Sequence, residues 1–142
     1  MLEETHMITI CNKQTIDGVS EEISLTTVGN YCERGGSRYI LYREYDRDGE
    51  APAQISTLKI TPDGALTLMR NHTHRTHLVL EQGKRNVCQY GTPFGGMMLG
   101  VFADEVTVAL NEKGGSVTAH YTLDLDNNLA SENEMLITVK EA

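Results

Sequence analysis

Polar and apolar residues alternate with a period of two along most of the chain. Ile8 and Ile10 alternate with Thr9 and Cys11; Ile23, Leu25 and Thr27 with Ser24 and Thr26; Leu58 and Ile60 with Thr57 and Lys59. Successive side chains of a strand face opposite sides, so each run predicts a strand with one dry face. Leu66, Leu68 and Arg70 share one parity, as do Leu78 and Leu80, then Val106, Val108 and Leu110, then Val117, Ala119, Tyr121, Leu123 and Leu125, and finally Met135, Ile137 and Val139. Turn-forming residues separate the runs: Asp17-Gly18, Gly35-Gly36, Asp48-Gly49, Pro62-Asp63-Gly64, Gly83, Gly114-Gly115 and Asp126-Asn127-Asn128. Such dipeptides favour hairpins.

Some nine or ten short strands joined by hairpins predict an all-β fold, an antiparallel up-and-down barrel or a sandwich. Closure is favoured, because a long open meander leaves two unpaired edges. Residues 93–100 could carry a short helix, a poor one given Gly95, Gly96 and Gly100. No linker or repeat divides the chain, so one domain is expected over residues 5–140.

Composition narrows the function. A chain of 142 residues is long enough for a proper core. Its net charge of −8 repels phosphate backbones and anionic headgroups, so neither nucleic acid nor a membrane surface is an expected partner. Cys11, Cys32 and Cys88 are three, widely spaced and without a Cys-x-x-Cys, which predicts neither a disulfide framework nor a zinc site. The acidic N-terminus has no apolar leader pattern, and a cytoplasmic protein is expected.

Candidate chemistry is sparse. His72-x-His74-x-x-His77 could hold zinc or nickel, yet its neighbours Asn71, Thr73, Arg75 and Thr76 predict a solvated hairpin loop. Gly91-Thr92-Pro93-Phe94-Gly95-Gly96 lacks the Lys-Ser/Thr that ends a phosphate loop, and Met97-Met98 stands there instead. Gly-x-Ser-x-Gly is absent. The pairs Glu3-Glu4, Glu21-Glu22 and Asp104-Glu105 are adjacent, so on strands they face opposite sides and cannot cooperate. No cofactor is expected, and no enzyme.

Arg70 and Glu44 break the pattern. Arg70 falls where the parity of Leu66 and Leu68 predicts an aliphatic, and a charge pointing into a barrel needs a partner. Glu44 follows Ile40 and Tyr42 on one parity and could supply a bidentate carboxylate, although Tyr39 and Leu41 make the other parity equally apolar. Thr27 and Tyr121 add hydroxyls to the same interior. Three explanations stay open: a buried structural pair of Arg70 and Glu44, a site where Arg70 meets an anionic ligand, or an arginine at a strand end in water.

The strand and tight turn leading into Leu68-Met69-Arg70, the Tyr90-Gly91-Thr92-Pro93-Phe94-Gly95 stretch and the Tyr121-x-Leu-x-x-Asp segment resemble the YwiB-like family of small bacterial proteins. The similarity spans essentially the whole length and lies more in strand-and-turn order than in any motif. It implies a calycin-like barrel, related to lipocalins and fatty-acid-binding proteins, in a cytosolic family of unassigned function. Residues 72–77 and Gly95-Gly96-Met97-Met98 depart from the family pattern and take no role from it.

The combined expectation is a non-enzymatic, cytosolic, lipocalin-like barrel that binds a small anionic amphiphile through Arg70, Glu44, Tyr42, Tyr121 and Thr27. The alternative is a ligand-free protein-interaction module, a homodimer by expectation.

Overall fold

The structure, a computed structural model, describes residues 6–44, 54–71, 75–92, 95–126 and 128–141. Ten strands follow one another: β1 (His6–Ile16), β2 (Val19–Arg34), β3 (Ser37–Glu44), β4 (Gln54–Ile60), β5 (Leu66–Asn71), β6 (Arg75–Leu80), β7 (Arg85–Thr92), β8 (Gly95–Leu110), β9 (Gly115–Leu125) and β10 (Asn128–Glu141). Each pairs antiparallel with the next, and β1 pairs with β10, which closes the barrel and removes its edges. Residues 95–100, expected as a poor helix, are the first part of β8. His77, expected in a loop, lies exposed on β6, whereas His72 and His74 lie outside the described residues.

Local chemistry sets these boundaries. Asp17-Gly18 joins β1 to β2 with φ of 50° and 79°, and Gly35-Gly36 joins β2 to β3 with φ of 61° and 85°. Two consecutive positive φ values make a two-residue turn whose twist matches that of the flanking strands. Strand β2 is long because it serves two neighbours: residues 19–29 pair with β1, and residues 29–34 with β3. At the handover a Cβ on Gly29 would collide with the Leu41 carbonyl oxygen and the Ile8 side chain, so only glycine fits. Strand β8 also bridges two partners and carries a bulge between Ala103 and Glu105.

The up-and-down order gives the barrel two unlike ends. The β2–β3, β4–β5, β6–β7 and β8–β9 connections gather at one end, the other connections at the opposite end. At the first end the inward side chains are aliphatic and fully buried: Ile8, Ile40, Leu58, Leu66, Val117 and Ile137, with others of their kind. Close packing of this sort leaves no room for a guest. A polar clasp seals that end. Tyr31 Oη donates to the Asn111 carbonyl at 2.6 Å, and Arg38 Nη1 donates to Tyr31 Oη at 2.8 Å and to the same carbonyl at 3.0 Å.

Candidate ligand-binding site

The opposite end is built differently on the same inner face. Register aligns Tyr42 of β3 with Ser56 of β4, Ser56 with Arg70 of β5, and Arg70 with Thr76 of β6, a polar row across four strands. His77 pairs with Gln89, which sets Tyr90 of β7 at the level of Thr76. Across the barrel, β9 contributes Tyr121 and β10 contributes Asn133, whose Nδ2 donates to Ser131 Oγ at 3.0 Å. Tyr42, Arg70, Tyr90, Tyr121 and Asn133 line a cavity of about 270 Å³ whose apolar wall includes Leu68, Leu78, Leu123 and Met135.

Arg70 is half-buried as a residue, with its Nε fully so. Its guanidinium is a permanent positive charge with five donors, suited to a carboxylate or phosphate. Burial, reinforced by Tyr90 and Tyr42, pushes the Tyr121 hydroxyl up to about 12, with the Arg70 charge working the other way. Tyr121 therefore remains a neutral hydrogen-bond donor at any physiological pH. The lining also carries Lys13, the carboxylates of Glu21 and Glu134 and the amides of Asn12 and Gln14, so cations, carboxylates, hydroxyls and amides meet there, and the Arg70 guanidinium is the group suited to an anion. Among the described residues, no group of three or more His, Cys, Asp or Glu side chains is placed to hold a metal ion.

Three of the five residues singled out from sequence, Arg70, Tyr42 and Tyr121, meet in this cavity. Thr27 does not join them. It sits opposite Ile8, towards the aliphatic end, where its hydroxyl donates to the Val28 carbonyl at 3.4 Å. Parity with Leu25 was a sound guide to its face and no guide to its height in the barrel. Glu44 stands opposite Gln54, one step beyond the Tyr42 row, and its side chain lies outside the described residues. Sequence reasoning passed over Ser56, Thr76, Tyr90 and Asn133. Each carries the same signal as Arg70, a polar residue in phase with buried neighbours: Leu58, Leu78, Cys88 and Met135 respectively.

A larger hollow, about 590 Å³, lies on the outer face across β2, β1, β10, β9 and β8. Its charged side chains oppose one another in register, Lys13 against Glu22 and Glu134, and Glu134 against His120. His120 Nδ1 also meets the bulge residue Asp104 at 2.5 Å. Charges satisfied in this way describe a solvated sheet face better than a site.

Comparison with known proteins agrees with this architecture. No curated protein matches the chain. The crystal structure of the ywiB protein from Bacillus subtilis superposes with a TM-score of 0.82 at 19% sequence identity, covering 97% of this chain and 92% of that one. At that identity the likeness speaks for the fold alone, a closed antiparallel barrel. The family described as Domain of unknown function (DUF1934) matches residues 8–137. Because that match takes in nearly every strand, the chain belongs to the DUF1934 family.

Proposed function

We propose that the protein is a non-enzymatic binder of a small anionic ligand, with Arg70 receiving the head group at the open end of a cytosolic barrel. One observation carries this: the inner face changes from packed aliphatics at one end to Arg70, three tyrosines and an asparagine around a cavity at the other, which Lys13, Glu21 and Glu134 also line. A barrel that needed only stability would be filled throughout, because each buried polar group must be matched to avoid a penalty. The volume, about 270 Å³, sits just below the roughly 300–1,000 Å³ usual for ligand pockets, which favours a small head group over a wholly enclosed molecule.

A fluorescent fatty acid titrated into wild type and Arg70→Met, with displacement by unlabelled carboxylates, tests the proposal. Loss of a charge-assisted hydrogen bond of about 1.5–3 kcal/mol should weaken binding roughly 10- to 150-fold. Absence of binding in wild type, or equal affinity in the variant, defeats it.

A further inference from the structure

The wall of the cavity that faces Arg70 carries a polar row of its own. Register aligns Glu21 of β2 with Gln14 of β1, Gln14 with Asn133 of β10, and Asn133 with Tyr121 of β9. Gln14 shares the parity of buried Ile8 and Ile10, so this row points inward. It repeats on β9, β10, β1 and β2 what Tyr42, Ser56, Arg70 and Thr76 make on β3 to β6. In the closed ring β5 stands opposite β10, which sets the two rows against each other. Glu21, Gln14, Asn133 and Tyr121 line the same cavity as Arg70 and Tyr42, and the Arg70 charge acts on the Tyr121 hydroxyl.

The two rows differ in charge. One holds the guanidinium of Arg70, the other the carboxylate of Glu21, whose companions Gln14, Asn133 and Tyr121 supply amides and a neutral phenol but no counter-charge. Lys13 and Glu134 also border the cavity, yet they belong to the outer parity and oppose one another in register, so their charges answer each other. Between the rows the lining is apolar, with Leu68, Leu78, Leu123 and Met135. A ligand carrying only a negative charge would settle on Arg70 with Glu21 facing it, and like charges across a contact cost affinity. A ligand that brings its own cation meets complementary charge at both rows.

Building on the proposed function, on which this rests, we infer that the pocket takes a zwitterion: a carboxylate sits on Arg70, and an ammonium group at the other end of the same molecule meets the Glu21 carboxylate. The ligand class is a small aminocarboxylate whose two charges are separated by a short apolar spacer. The spacer lies against the aliphatic lining, and the side-chain carbonyls of Gln14 and Asn133 can accept from the ammonium beside Glu21. Its length is set by the gap between the rows. Arg70 anchors the molecule, and Glu21 selects for the cation.

Calorimetric titration of ω-aminocarboxylates from aminoacetate to aminooctanoate, each beside the ω-hydroxycarboxylate of equal chain length, tests this on wild type, Glu21→Gln and Arg70→Met. The paired acids match in size and polarity and differ in the cation alone. Glu21 is exposed, so Glu21→Gln should fold, and circular dichroism verifies it. Wild type should prefer the amino acid over its hydroxy partner about two- to fivefold, the range open to a solvated ion pair. The preference should peak at one intermediate chain length, where the spacer bridges the rows, and should shrink as salt is raised. Glu21→Gln should bring the amino acid down to the level of its hydroxy partner, and Arg70→Met should weaken both. A wild type without preference at any length, or a preference that survives Glu21→Gln, overturns the inference. Hydroxy acids that bind wild type through Arg70 with no such preference would leave the anion site standing, whereas absence of binding by either series would defeat the anion site as well, so the two ideas fail separately.

Discussion

At the scale of single residues, His120 and Asp104 illustrate how a strand irregularity creates a titrating pair. The bulge in β8 presents the Asp104 carboxylate to the His120 ring. That hydrogen bond raises the imidazole above its ordinary value of 6.5; burial opposes the rise, and the charges of Asp104, Glu134 and Glu132 support it. A raised value in the folded state means the pair stabilises the protein fully below the unfolded value, and that contribution fades as pH climbs through the raised one. Both groups are substantially solvated, so the effect is small. Urea midpoints of wild type minus Asp104→Asn should shrink from mildly acidic to mildly alkaline pH, with the His120 ring resonances titrating above 6.5 in wild type alone. A difference that is flat across that range would remove the pair from the stability of the fold. Gly29 makes the opposite kind of demand. An alanine there must push against the Leu41 backbone, which a ladder on both sides holds in place, so Gly29→Ala should lower stability by several kcal/mol in chemical unfolding.

Among the elements, strand parity was the legible quantity. It is set by the backbone alone, so Ile8, Leu58, Leu66, Val117 and Ile137 could be assigned to the interior from spacing. Height along the barrel was not legible, since it depends on shear and on which residues of a long strand face which neighbour. That is why Arg70, Tyr42 and Tyr121 share one cavity while Thr27, on an equally plausible face, lies at the aliphatic end. It is also why Ile23 was expected to be dry: β1 and β2 extend past the packed region, and periodicity has no term for where a neighbour stops. The clasp escaped sequence reasoning too, because Tyr31 and Asn111 are 80 residues apart and meet only after closure. Removing its centre tests its role. Tyr31→Phe deletes the hydroxyl that joins Arg38 to Asn111 and should cost about 1 kcal/mol without touching ligand affinity at the other end. An effect on affinity would show that the two ends communicate.

For the molecule as a whole, the division into a packed end and a polar end separates the core that holds the barrel together from the proposed binding site. Leu66→Ala, in the packed end, should cost about 2–5 kcal/mol, since it deletes fully buried methyl groups and leaves a cavity. Arg70→Met should cost about 1 kcal/mol or less, because Arg70 is only half-buried and most of its stem volume is kept. A bound anion adds stability through linkage, about 2.7 kcal/mol at 100 times its Kd. That gain is global only where amides exchange by complete unfolding, and local opening at the mouth should respond separately. In hydrogen exchange with a saturating short carboxylate, amides around Arg70, Thr76 and Tyr90 should therefore slow by local protection. Amides of Leu58, Leu66 and Val117 should slow only to the extent that global stability rises. Slowing confined to the packed end, with none around Arg70, would mean that the anion binds elsewhere and that the polar end is structural.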